Sequence, residues 1–487
     1  MTTTITRDVP VRIAGKPQAM ANHETLDVRS PATGEVVARV ALATSEDVDR
    51  TVSAAQQTAP GLAQTPPRAR GELLLRVTEA LRARSEQVAH DLALEQGKPI
   101  VEARAEVAVA VEMWREATEI IRQQTDEILP SDDPDRAIVV VHRPHGVLGV
   151  ITPWNFPATI PTEYLCAGLA AGNAIVWKPS ELTTLTAVHL AECIEEAGFP
   201  PGSVNLLPGL GADTGARVVA HPGIDAIGFT GSPAVGHQIA REAGAKPVLL
   251  ELGGNNATIV LDDVDVEHAA SALRDACYAN GGQICSSTER IIVHRSIHDD
   301  LADALVEQAR SLRLGPSLDE TTTIGPLNNE ATAAKVDAHL ADVVASGGRV
   351  LTGGRRQADR PTSLYYEPTV AIGLTRDMVA FREETFGPVA MLATFDSDDE
   401  AVALVNGHEL GLVAGVLGAD GDRMTAIGAQ LRAGIVNIGN VATYWQPHTP
   451  FGGWSGRSSG VGRLGGKYTI EALSQLQTFV VPRRRMP

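Results

Sequence analysis

Between Ala137 and Phe229 short apolar runs, AIVVV, GVLGVIT, NAIVWK, VNLLPG and AIGFTG, alternate with helical stretches such as TAVHLAECIEEAG. Strand and helix in alternation argue for an α/β fold with a doubly wound parallel sheet. A second alternating series begins after Glu251-Leu252-Gly253-Gly254. Its helices are expected near residues 265–280, 297–312, 331–346, 398–407 and 421–432, with strands at RIIVHR, YEPTV, VAMLATF, VAGVLG and GIVNIG. Two α/β domains in sequence follow. Upstream, residues 67–125 read as two long helices, the first stopping at Gly97-Lys98-Pro99. The last apolar segment, LSQLQTFVV, lies far in sequence from either sheet and suits pairing with another subunit.

A chain of 487 residues amounts to about three structural units at about 150 residues each. With 44% apolar and 21% charged residues it is neither disordered nor collagenous. Its 41 Lys+Arg against 59 Asp+Glu give a formal charge of −18, which argues against nucleic acid or an anionic membrane as partner. No run approaches the ~18 apolar residues of a membrane helix, and MTTTITRDVP lacks a signal-peptide layout, so the cytoplasm is the expected compartment. The four cysteines, Cys166, Cys193, Cys277 and Cys285, show no zinc spacing, and no metal is expected.

Two glycine clusters suit a nucleotide. Gly209-x-Gly211-x-x-x-Gly215 is one residue longer than the dinucleotide fingerprint, and a plain strand-to-helix turn explains it equally. In Gly228-Phe229-Thr230-Gly231-Ser232-Pro233 a strand runs into a hydroxyl and a proline fit for the first helical turn, placing a pyrophosphate near Gly231 and Ser232. Lys178, followed by Pro179, Ser180 and Glu181, ends another strand, where an ammonium and a carboxylate can hold ribose hydroxyls; an exposed ion pair is the alternative.

Cys285 sits among small polar residues in NGGQICSS, whereas the other three cysteines lie in Ala/Leu-rich or helical contexts typical of buried thiols. Glu251 ends an apolar strand before a double glycine, a costly place for a carboxylate unless the fold needs one there. A thiol and a base of this kind form a covalent-catalysis pair. In Ile151-Thr152-Pro153-Trp154-Asn155-Phe156-Pro157 a held amide can donate to an oxyanion, although a structural turn has the same composition.

Taken in order and spacing, ITPWNFP, WKPSE, GFTGSxxxG, ELGG, NGGQIC and EETFGP resemble the aldehyde dehydrogenase superfamily across essentially the whole chain. The resemblance implies Cys285 as nucleophile, Asn155 and the Cys285 N–H as oxyanion donors, and Glu251 as the base that hydrolyses the thioester. It implies NAD as cofactor, with NADP still open: Lys178, Ser180 and Glu181 at the adenosine ribose, Ser232 at the pyrophosphate and Glu384 with Phe386 at the nicotinamide ribose. Ile151, Thr152, Pro153, Trp154, Gly211, Gly215, Phe229, Gly231, Leu252 and Gly253 complete the expected cofactor surface. The expected division is 1–125 with 146–253 for a Rossmann-like cofactor domain, 254–456 for a catalytic domain, and 126–145 with 457–487 for a small β oligomerisation element. A homodimer or homotetramer is implied, with a small-molecule aldehyde as its other partner.

The sequence departs from the family pattern at Glu163, where relatives usually carry an aromatic residue or arginine, and at Tyr164, where they carry lysine. A glutamate there repels an acidic semialdehyde. Glu163 with Tyr444 and Trp445 is instead suited to a cationic or bulky aldehyde, unless an arginine pairs with Glu163. Ile284, Ser286 and Phe451 are the remaining expected substrate contacts. A succinate-semialdehyde-type dehydrogenase and a non-catalytic binding protein of the same fold are the alternatives. Gly456-Arg457-Ser458-Ser459-Gly460 fits the G-x-S-x-G of serine hydrolases, but glycines on both sides leave no strand-to-helix elbow.

Overall fold

The computed structural model describes residues 6–483. Among these, one eight-stranded sheet, one seven-stranded sheet and two three-stranded sheets are formed. In the first, five parallel strands lie in the order Val248–Leu252, Ala226–Gly231, Val147–Ile151, Ala174–Lys178, Val204–Leu206. The chain lays down Val147–Ile151, moves outward through the next two strands, then returns to the opposite side with the last two. That reversal opens a crevice at the carboxyl ends of Val147–Ile151 and Ala226–Gly231, the place where such sheets take ligands. Every residue of Val147–Ile151 and of Ala174–Lys178 is buried, which is why these strands read as continuous apolar runs.

The seven-stranded sheet has the order Arg349–Thr352, Thr369–Ile372, Val389–Phe395, Thr288–His294, Asn256–Val260, Val413–Leu417, Ile435–Ile438, with only the first strand antiparallel. Successive side chains serve opposite faces. Ile291 and Val293 enter the core beneath helices Val266–Tyr278 and His298–Ser311, while Ile292 enters the core beneath Glu330–Ala345.

The stretch 67–125 forms three helices, not two: Pro67–Ala83, Ser85–Gln96 and Ile100–Gln123. The extra break falls at Arg84 (φ −113°, ψ 15°), which has no glycine or proline to announce it. A further helix, Ser45–Gln64, is announced by the Thr44–Asp47 capping box.

Strand Ser474–Pro482 pairs residue for residue with Arg136–Pro144, which also pairs with Glu127–Leu129. The rest of the tail goes elsewhere. Gly460–Val461 joins the edge of the eight-stranded sheet, and helix Lys467–Ala472 packs on Thr159–Ala171. Residues 454–459 form irregular turns leading into the Gly460–Val461 strand, so no nucleophile elbow exists there. No helix among the described residues is long and apolar enough to cross a membrane.

Candidate active site

Cys285 stands on a loop bent by three consecutive left-handed residues, Asn280 (φ 51°), Gly281 (φ 64°) and Gly282 (φ 73°). Gly282 also passes so close to its neighbour that a Cβ there would lie 2.0 Å from the Gly387 carbonyl oxygen. The loop is pinned from within and without. Gln283 Nε2 donates to the Asn280 carbonyl (2.7 Å) and its Oε1 accepts from Asn328 N–H (2.9 Å). Asn256 Nδ2, one strand away, donates to the carbonyls of Cys285 (2.8 Å) and Ser287 (2.9 Å). Cys166, Cys193 and Cys277 are fully buried and Cys285 is half-buried; all four are free thiols.

Cys285 opens on a cavity of ≈390 Å³. Its wall is mainly apolar, with Ala105, Val109, Phe156, Ile160, Ile284, Trp445, Phe451 and Leu464, and Glu251, Glu163, Thr230 and Ser286 among the polar residues. Trp445 and Phe451 meet edge to face at 6.3 Å. Glu251 is 3% exposed and its Oε1 has no hydrogen-bond partner. Burial, with Glu163 close by, lifts its carboxyl well above the usual range, while its contact with the Cys285 thiol opposes the shift. The Cys285 thiol is also pushed up, first by burial and then by Glu251 and Glu384. Burial alone pushes Glu163 up to about 8, and among the described residues no arginine pairs with it. The alternative of an arginine-paired Glu163 therefore does not hold.

Asn155 lies in the turn between Val147–Ile151 and helix Thr159–Ala171, 4% exposed. Its Nδ2 donates one hydrogen to the Gln283 carbonyl (3.1 Å), which ties it to the Cys285 loop and leaves a second amide hydrogen for a ligand. Its own carbonyl accepts from Lys98 Nζ (3.0 Å) and Asn280 Nδ2 (3.0 Å). Lys98 in turn pairs with Glu106 at 2.6 Å, both side chains being 1% exposed. Glu106 spends its other oxygen on the N–H groups of Ala158 (2.8 Å) and Thr159 (3.2 Å), the first turn of the helix after Asn155. Glu102 accepts from Asn280 N–H (2.9 Å), and burial lifts its carboxyl to about 7.

Lys98, Glu102 and Glu106, none of them foreseen from the sequence, brace the Asn155 and Asn280 segments. They lie around a helix boundary whose helical spacing looks purely structural; the signal that marks them is charge on an otherwise buried face.

Most of the expected cofactor residues lie at the carboxyl ends of adjacent strands: Ile151, Lys178, Gly231 and Leu252, with Thr152, Pro153 and Trp154 just beyond the first. Lys178, 3% exposed, binds Glu181 at 2.8 Å across the strand end. Ser232 caps helix Pro233–Glu242, accepting from Val235 N–H (3.4 Å). That helix lies close to the sheet because Gly236 has no Cβ, which would otherwise stand 2.2 Å from Leu252 Cδ2. Leu252 and Phe229 are thus packing residues by their side chains. Thr152 Oγ1 accepts from Trp177 Nε1 (3.0 Å), and Ser180 Oγ from Leu182 N–H (3.2 Å). Gly211–Gly215 is a wide helical turn running straight into helix Ala216–Ala220.

From the second sheet unit, Glu384 Oε1 accepts from Gly254 N–H (3.1 Å) beside Gly253, and Phe386 meets Trp154 edge to face at 5.8 Å. Phe386 is held at φ 61° because its N–H (2.9 Å) and that of Thr385 (3.0 Å) both bind the buried Glu289. Glu384 and Phe386 are thereby brought across to the strand ends of the first sheet. A cationic side chain buried at one strand end, a helix N-terminus two strands away and the Glu384 carboxylate beside Gly253 make a chemically consistent cradle for a dinucleotide.

Two expected substrate residues fall elsewhere. Tyr444 is 49% exposed, bonds Gln446 through its hydroxyl and does not line the cavity, because the turn alternates and Thr443 and Trp445 face inward. Tyr164 is fully buried behind the wall, its hydroxyl 2.8 Å from Thr230 Oγ1, and its ring fills the space a Cβ on Gly228 would need.

A sequence model of the Aldehyde dehydrogenase family matches residues 19–479. The chain is 36% identical over 476 residues to a vanillin dehydrogenase of Pseudomonas fluorescens, covering 96% of this chain and 97% of that protein. It is 34% identical to a mitochondrial succinate-semialdehyde dehydrogenase of Arabidopsis thaliana, covering 96% and 88%. Among solved structures, an NAD-dependent aldehyde dehydrogenase of Sinorhizobium meliloti superposes with a TM-score of 0.95 at 36% identity, over 99% of this chain and 97% of that one.

Proposed function

The chain belongs to the Aldehyde dehydrogenase family, and from that premise we propose that it oxidises a bulky, largely apolar aldehyde to its carboxylic acid with NAD. The single observation that carries this reading is the pairing of Cys285 with Glu251 in a mostly apolar chamber beside Asn155. Glu251, its basicity raised by burial, takes the thiol proton, and the Cys285 sulfur adds to the aldehyde carbon. The oxyanion receives the free Asn155 amide hydrogen and the Cys285 backbone N–H. Lys178, Glu181, Ser232 and Glu384 would hold NAD at the strand ends, where it would supply the acceptor for the hydride that leaves the thiohemiacetal carbon. Glu251 then takes a proton from water, which attacks the thioester carbon and frees the thiol and the acid.

Glu181 supports NAD over NADP: held by Lys178, its carboxylate would meet a 2′-phosphate with like charge. The apolar wall favours a ring or a branched chain. A semialdehyde's carboxylate would find among the lining residues only the Lys98 ammonium, already bound to Glu106. The unpaired Glu163 supports a second reading, in which the distal group of the substrate is cationic. A homo-oligomer is supported by the edge strand Ser474–Pro482, which exposes Leu476 and Val480. A cytoplasmic setting completes the proposal.

The test is formation of reduced cofactor from NAD and from NADP with a panel of aromatic, aliphatic, cationic and acidic aldehydes, with Cys285→Ala as control. Turnover of aromatic or branched aldehydes with NAD, abolished in the control, is expected. A preference for acidic aldehydes, or activity that survives in Cys285→Ala, would overturn the reading.

A further inference from the structure

Glu163 belongs to two cavities. On one side it lines the chamber that holds Cys285 and Glu251. On the other it lines a void of ≈20 Å³ shared with Glu116, Cys166 and Thr469. Roughly 10–15 Å³ suffices for one water, which needs two to four polar partners, and both are provided here. Glu116 continues the series, because it also lines an open depression of ≈630 Å³ at the surface, together with His448. Glu251 stands at the inner end, 3% exposed, with an unbonded oxygen.

We propose that Glu163, a water in the small void and Glu116 form the route by which protons leave the chamber for the surface, a role that rests on the reaction proposed above. The chemistry requires an exit. In the first half-reaction the S–H bond breaks, the S–C bond forms and Glu251 holds the thiol's proton. Glu251 must unload that proton before it can accept one from the water whose oxygen bonds to the thioester carbon as the C–S bond breaks. At the end, the proton from that water returns to the thiolate through Glu251, and the acid ionises. Aldehyde, NAD+ and water thus become carboxylate, NADH and two protons, and the cavity walls are mainly apolar.

Glu163 faces Glu251 on one side and Cys166 and Glu116 on the other, with no cation beside it among the described residues. Its carboxyl, raised to about 8, changes protonation near neutral pH. Glu116 is raised by burial and by Glu112 and Glu119 on its own helix, and lowered by His448 opposite and by Arg115.

Glu116→Gln and, separately, Glu163→Gln are measured in stopped flow with NAD and the best aldehyde, with and without imidazole as a small proton carrier. In Glu116→Gln, remote from the chamber, the first turnover of reduced cofactor is expected at the wild-type rate and KM is expected unchanged. In both variants the steady-state rate is expected to fall roughly tenfold, short of the 10²–10⁴-fold effect of a direct general base, and to recover partly with imidazole. Wild-type steady-state rates in both variants, or a loss that imidazole does not restore, overturn the route while leaving the oxidation intact. A wild-type enzyme that produces no reduced cofactor overturns the parent reading and this one with it.

Discussion

Three carboxylates that line one chamber fall into two opposite kinds. Glu106 is saturated: Lys98 takes one oxygen and two helix N–H groups share the other. Glu251 and Glu163 are starved, the first with an unbonded oxygen and the second with no charged partner, and burial lifts both carboxyls. The saturated group, through Lys98 and the first turn after Asn155, braces the Asn155 segment. The starved groups, their carboxyls raised by burial, are the ones to which the proposed reaction gives the protons. The proposed chemistry falls where hydrogen-bonding capacity is left over.

The contrast breaks most visibly at its starved end. Cys285→Ala is expected to abolish acid production under steady-state assay. Glu251→Gln, which keeps the size of the side chain, is expected to lose about 10³-fold in steady-state turnover while the thioester still forms. Asn155→Ala is expected to lower kcat by about 10²–10³-fold, as for other lost oxyanion donors, with a smaller change in KM.

At the saturated end the expected loss is one of stability first. Lys98→Met leaves Glu106 buried without its partner, a change that costs about 3–5 kcal/mol, so a lower melting temperature should accompany reduced activity. Equal melting temperatures for wild type and Lys98→Met would show that the pair does not brace the Asn155 turn.

The smallest effect sharpens the contrast. Glu163 is raised from 4.5 to about 8, so folding favours its protonated form. That contribution is fully present below the unfolded value and is lost as pH rises through the folded one. Glu163→Gln should therefore melt close to wild type near pH 4, and about 2 °C or more above it near pH 9. A difference independent of pH would place the carboxyl in solvent.

Much of this was legible in the residues. Alternating apolar runs foretold both sheets because parallel strands buried on two faces must be apolar throughout. Cys285 and Glu251 stood out because each breaks its local context, a thiol among small polar residues and a carboxylate ending an apolar strand. Lys98 and Glu106 were not legible, since their partners lie as far away as Asn155 and only the packed fold brings them together. Tyr444 misled because aromatic character says nothing about which way a loop residue faces. The break at Arg84 carries no composition signal at all.

In the proposed reaction Cys285 forms the thioester and Glu251 hydrolyses it. Rapid mixing of Glu251→Gln with NAD and a good aldehyde tests it directly, with mass spectrometry of the quenched protein. One equivalent of reduced cofactor per site, followed by near arrest and an acyl mass adduct on the peptide containing Cys285, is the predicted result. Sustained turnover at the wild-type rate with no adduct would contradict it.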